Sequence, residues 1–170
     1  MLTLQELLNG VKCLDENTLA ELSDKLWELG TLDDIKEKVT PELFTLHICM
    51  NMVGNWQCDG WWYIICEQVK LVPFIPEALN ALGLFTLKTA FEKVISCFPQ
   101  DTIFTDDNNY NRFKVSNKKL NSIPLEKRKE MVKKTRHCIE ELEQLTEPLW
   151  GYASENNGWK IVLDYISAHK

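Results

Sequence analysis

From Leu43 to Val53 the chain offers almost no polar face, and this stretch constrains the fold more than any other. Leu43, Phe44, Leu46, Ile48, Met50, Met52 and Val53 point in nearly every direction around a helix axis. A helix that is apolar all round belongs in the middle of a domain, with other elements covering it. Thr40-Pro41-Glu42 supplies its start: a capping hydroxyl, a proline in the first turn and an early carboxylate. The spacing therefore predicts a buried central helix over about 41–53, and the rest of the chain must wrap around it.

The flanking segments carry helical periods. Leu19, Leu22, Leu26 and Leu29 recur every three or four residues, so they share one face. Asp15 or Asn17 caps that helix and Gly30 ends it. Thr31 opens a short helix with Leu32 and Ile35 inward and Asp33, Asp34 and Glu37 outward. Gly54 to Gly60 reads as a break. Trp61-Trp62-Tyr63-Ile64-Ile65-Cys66 then begins a second dense apolar segment. Its aromatic and β-branched content favours a strand, whereas Glu67-Gln68 and the helical flanks favour a helix; helix is the expectation. Ile75-Pro76-Glu77 starts a short helix that Gly83 stops. Thr86 is expected to cap the next, whose stripe is Leu87, Ala90, Phe91, Val94 and Phe98. The longest helix runs from Pro124-Leu125 to about Leu145, with Leu125, Val132, Thr135, Ile139 and Leu142 on one face. A terminal helix covers about 159–168.

Residues 100–121 lack a sustained period and form one long loop. It is either a surface excursion pinned by Tyr110 and Phe113 or a functional segment, as long loops often are. Neither repeats nor a linker divides the sequence. The expected architecture is all-α: a single compact multi-helix domain over 1–170, with a central buried helix and one long loop.

Composition narrows the function classes. A net charge of −6 disfavours direct nucleic-acid binding, because phosphate contacts need Lys and Arg. No stretch is long and apolar enough to cross a bilayer, and the segment from Met1 lacks the basic and apolar regions of a secretory leader. Cys13, Cys49, Cys58, Cys66, Cys97 and Cys138 mostly have apolar neighbours and include no Cys-x-x-Cys pair. Buried free thiols in a cytoplasmic protein are the expectation, without a zinc ribbon or a thioredoxin-type motif. The six Trp residues suit core packing first and interface anchoring second.

Catalytic signatures are missing. No Walker-type loop, Gly-x-Gly-x-x-Gly or Gly-x-Ser-x-Gly elbow occurs, and no His pair has metal-ligand spacing. Asp106 and Asn108 start like a calcium loop, but Tyr110, Asn111 and Asn117 fill the later positions wrongly. His47 reads as a core histidine with one satisfied hydrogen bond. No cofactor is expected.

Charge is segregated along the chain. Residues 1–42 carry ten acids against four lysines. In the longest helix, Lys127, Arg128, Lys129, Lys133, Lys134 and Arg136 come first, and Glu140, Glu141, Glu143 and Glu147 follow. That order opposes the helix dipole, which prefers acids early, so the basic half is either a solvated face or opposed to acids elsewhere. One helix edge cannot imitate duplex DNA. DNA carries a charge every ~1.7 Å of axis, whereas carboxylates at i, i+4 come about every 6 Å. Several acidic edges, or two subunits, would have to converge.

Asp59-Gly60-Trp61-Trp62-Tyr63, Ala78-Leu79-Asn80-Ala81-Leu82-Gly83, Phe98-Pro99, Leu149-Trp150-Gly151-Tyr152 and Asp164-Tyr165-Ile166-Ser167-Ala168-His169 follow one another in order. Together they resemble a bacterial family of DNA-mimic-like domains, typified by a DNA-mimic protein of Neisseria, over about 43–169. The departure is Asp59-Gly60, where the family more often has Gly-Gly. The resemblance implies an α-helical fold, a homodimer, no enzymatic activity and an acidic surface offered to a DNA-binding protein. On this reading the chain is a non-catalytic protein–protein interaction module, with Asp33, Asp34, Glu37, Glu140 and Glu141 as the partner-facing acids. The alternatives are an immunity- or antitoxin-like inhibitor, and an enzyme with a site near the Trp-rich segment that uses Asp59 or His47.

Overall fold

The computed structural model describes residues 1–98, 102, 104, 124–153 and 158–170. The chain is all-α. Its helices are α1 (Leu4–Leu7), α2 (Glu16–Trp27), α3 (Leu32–Lys38), α4 (Pro41–Glu67), α5 (Ile75–Ala81), α6 (Phe85–Ile95), α7 (Leu125–Trp150) and α8 (Trp159–His169), with a 3-10 turn at Val72–Phe74 before α5. Among the described residues the β-type pairing is one isolated parallel bridge, Leu2 with Val39. There the Leu2 N–H donates to the Lys38 carbonyl, and the Thr40 N–H donates to the Leu2 carbonyl. The segment around 100–121, with its calcium-loop lookalike, lies outside the described residues apart from 102 and 104.

Helix α4 is the centre, as its all-round apolarity predicts. Leu43, Leu46, Met52, Val53, Trp61 and Ile64 are fully buried in it. Helices α2, α3, α5, α7 and α8 all pack on α4, and α6 bridges α5 and α7. The buried apolar residues form one continuous cluster, which removes the area that water would otherwise have to solvate.

Local chemistry sets most boundaries. The Asp15 carboxylate caps α2 by accepting from Thr18 N–H at 2.9 Å. Thr31 and Asp34 form a capping box at the start of α3, so two otherwise orphaned donors are satisfied. Gly30 and Gly83 take positive φ where α2 and α5 end. At Gly83 the Leu84 N–H returns to the Leu79 carbonyl and the Gly83 N–H to the Asn80 carbonyl, a Schellman closure.

Four expectations need correction. The segment 54–59 does not break the helix; α4 continues, and the departure is confined to Gly60 at φ 71°, ψ −172°. Thr86 is not a cap, because the Schellman turn is so tight that Leu84 is already the capping residue and α6 starts at Phe85. Helix α7 runs past Leu145 and through Pro148 to Trp150, drawn on by the burial of Thr146 and Trp150. Leu125 leaves the apolar stripe and is exposed, ten residues ahead of Thr135, the first buried residue of α7.

Among the described residues no helix is long and apolar enough to cross a membrane. All six cysteines are free; Cys49, Cys66, Cys97 and Cys138 are buried, and Cys13 and Cys58 are exposed.

Candidate functional site

Two parts of the molecule concentrate polar chemistry: the bend of α4 against α7, and the acidic surface of the first forty residues.

At Gly60 the ε-type backbone conformation, which is essentially confined to glycine, interrupts the helical ladder and frees the Trp61 N–H. The Glu143 carboxylate of α7 accepts it at 2.5 Å through Oε1, while Oε2 accepts the Trp56 indole N–H at 2.7 Å. One turn on, the Thr146 hydroxyl accepts from the Trp61 indole N–H at 2.8 Å and donates to the Leu142 carbonyl. Trp61 packs on Trp150 and Phe91, with ring centroids 5.6 and 5.4 Å apart, and Trp56 meets Trp150 edge-on at 5.7 Å. Burial pushes the Glu143 carboxyl above its ordinary value, and the bonds from Trp61 and Trp56 pull it back. Glu143 reads in sequence as one more surface acid of α7. In the fold it caps the second half of α4.

His47 lies in the core of α4 with its ring edge-on to Trp27 at 4.7 Å. Its Nδ1 lies 3.3 Å from the Asn51 amide, and its Nε2 is buried without a partner. Asn51 also accepts from the Trp27 indole N–H and donates to Ser23, tying α2 to α4. Burial drives the His47 pKa down to about 4, so the ring is neutral near pH 7. Asp59 is exposed on α4. Among the described residues, no group of three or more His, Cys, Asp or Glu side chains is placed to hold a metal ion.

The acids of residues 1–42 behave differently. Nine of the ten are exposed and Asp34 is half-buried. None of them lies within 4.0 Å of a Lys, Arg or His nitrogen among the described residues. Elsewhere Glu92 pairs with Lys88, Glu126 with Lys129 and Asp164 with Lys160. Glu141 is engaged by Lys93 of α6 and by His137.

The predicted partner-facing acids therefore fall into two groups. Asp33, Asp34 and Glu37 sit on α3, beside the start of α4, and Asp34 is partly committed to the Thr31 capping box. Glu140 and Glu141 sit on α7 near Glu143, which reaches α4 at Trp56, fifteen residues beyond Pro41. A rise of 1.5 Å per residue puts these points about 22 Å apart along the helix. The α3 acids thus lie on a helix that packs against α2, and the α7 pair forms a separate patch. Trp27 at the end of α2 is 38% exposed and donates its indole N–H to Asn51 of α4. It was legible in sequence only as one of several tryptophans, because its exposure is decided by the packing of α2 on α4.

No protein-family model, curated protein or solved structure matches the chain.

Proposed function

We propose that this protein is a non-catalytic interaction module that presents the acids of α2 and α3 to a basic site on a protein partner, of the kind that otherwise holds DNA. The observation that carries this reading is the set of exposed carboxylates in residues 1–42, none of which has a cationic side chain within 4.0 Å among the described residues. Like charges left uncompensated on one surface repel one another and are relieved by a cationic partner. Trp27, half-exposed between Asp24 and Glu28, adds the kind of aromatic anchor on which interfaces concentrate their affinity. Asp33 and Glu37 are the principal contacts, with Asp34 behind them. Glu141 is already neutralised by Lys93, so it and Glu140 have a lesser part.

The test is a pull-down from cell extract at low and at high salt, with bound proteins identified by mass. It is repeated with a variant carrying Asp24→Asn, Asp33→Asn and Glu37→Gln. A basic DNA-binding protein held at low salt, released at high salt and lost with the variant is the expected result, because exposed charges are screened beyond about 10 Å at 0.1 M salt. Salt-insensitive capture that the variant retains overturns the proposal. If such capture depends on Trp27, the inhibitor reading takes its place.

A further inference from the structure

The acidic surface leaves a second feature unused: a concave pocket of about 300 Å³ that Lys36 of α3 lines together with residues of α4, the 3-10 turn and α5. The 3-10 turn and the first turn of α5 fold back onto the first two turns of α4 and leave a gap between them. Its walls are Phe44, Ile48, Phe74 and Ala78, with Lys36 and Glu77 at the mouth. Phe44 and Phe74 meet edge to face, with centroids 5.1 Å apart and planes at 86°. Phe44, Ile48 and Ala78 are buried, so the floor is rigid core and not loose surface.

The cation is the informative part. Lys36 Nζ stands over this aromatic pair, 5.4 Å from the Phe74 centroid and 5.9 Å from that of Phe44. Among the described residues no carboxylate lies within 4.0 Å of it. Every other lysine on α2 and α3 lies outside this pocket. An ammonium held over ring faces still has donors to offer a ligand. A small apolar pocket with a few charged groups at its mouth is a usual form of a small-molecule site: the walls take the body and a charge fixes its orientation. The volume equals about ten waters at 30 Å³ each, room for a phenyl ring or a short branched alkyl chain with one polar head. Glu77 at the same mouth repels a second negative charge.

We propose that this pocket binds small monocarboxylates with an aromatic or branched apolar body, the carboxylate meeting Lys36 and the body lying against Phe44, Ile48 and Phe74. This site is independent of the partner-binding reading, and either can fail without the other.

The experiment is a titration of the full isotope-labelled chain with phenylacetate, followed by NMR at Phe44, Thr45, Phe74 and Ala78. The neutral 2-phenylethanol and the cationic 2-phenylethylamine serve as comparison ligands. The expected result is saturable shifts confined to those residues, with binding weaker by roughly tenfold or more for the alcohol and the amine, as loss of a charge-assisted bond requires. Lys36→Met weakens phenylacetate to the level of the alcohol, and Lys36→Arg keeps it. Glu77→Gln raises the affinity for phenylmalonate, a dicarboxylate. The amide spectrum of each variant shows whether the fold is intact, and a lysine this exposed can be replaced without emptying the core. Shifts that do not saturate at millimolar ligand, equal binding of acid and alcohol, or an unchanged affinity in Lys36→Met overturns the proposal.

Discussion

A Cβ built on Gly60 would lie 2.6 Å from Oε1 of Glu143. The bend of α4 and the carboxylate that caps it thus occupy adjoining space with no room for a methyl group. Gly60→Ala meets both the clash and the disfavoured backbone, and it is expected to destabilise the fold by at least about 2 kcal/mol. Chemical denaturation checks this. Combining it with Glu143→Ala relieves the clash, so the double variant is expected to lose less than the sum of the two single losses. Strict additivity would mean that the two residues do not share a site.

Thr146 offers a cleaner probe of the same region. Thr146→Val keeps the shape but removes the acceptor of the buried Trp61 indole N–H. Leaving such a donor unsatisfied costs about 1–3 kcal/mol. The same variant should shift the Trp emission, and an unchanged denaturation midpoint would show that the bond contributes nothing.

His47 gives the molecule an acid sensitivity with a definite sign. Its folded pKa is driven down to about 4 by burial, from an ordinary 6.5. Above 6.5 the ring is neutral in both states and carries no penalty. Between 6.5 and 4 the unfolded chain binds a proton that the folded one refuses, so stability falls as pH falls, by up to about 3 kcal/mol. Glu143, raised by burial, acts the other way: its ionisation destabilises the fold as pH rises through the carboxylate range. The comparison must therefore be made against His47→Gln. The difference between wild type and this variant should shrink steadily from pH 7 to pH 4, and a constant difference would rule out this role.

Cys97 and Cys138 stand with their sulfurs 3.7 Å apart at the contact of α6 with α7. Diamide, an azo oxidant that takes up two electrons and two protons to become a hydrazine, should close them into an intramolecular disulfide. Burial, together with the Cys138 side chain, pushes the Cys97 thiol up. Closure should therefore be slow at pH 7 and faster at pH 9, since the thiolate is the reactive form. Peptide mapping by mass reads the link. Cys97→Ser must abolish it, and two unlinked thiols after prolonged oxidation would contradict the geometry.

The parts of this fold that sequence makes legible are those set by neighbours along the chain. The Leu19, Leu22 and Leu26 stripe, the helix opening at Thr31 and the Pro41 start depend on residues within one or two turns, and each is found where the spacing puts it. The bend at Gly60 is different. Glycines at 54 and 60 look alike in sequence, but Gly54 remains helical beneath the Trp159 ring, whereas Gly60 is bent around a carboxylate 83 residues away. Glu143 was hidden for the same reason: the sequence around it reads as solvated charge, and its burial is decided by α4. The separation of Asp33 and Glu37 from Glu140 and Glu141 likewise depends on how α7 lies along α4, which no local period encodes.

The capped bend also has a consequence for exchange with solvent. The Trp61 amide is held by a side chain from another helix. Fraying within α4 cannot release it while α7 remains seated. Its deuterium uptake should therefore follow the lifting of α7, with a protection set by that sub-global opening and not by local breathing. One backbone proton at residue 61 would then time the docking of a helix that begins 64 residues later in the chain.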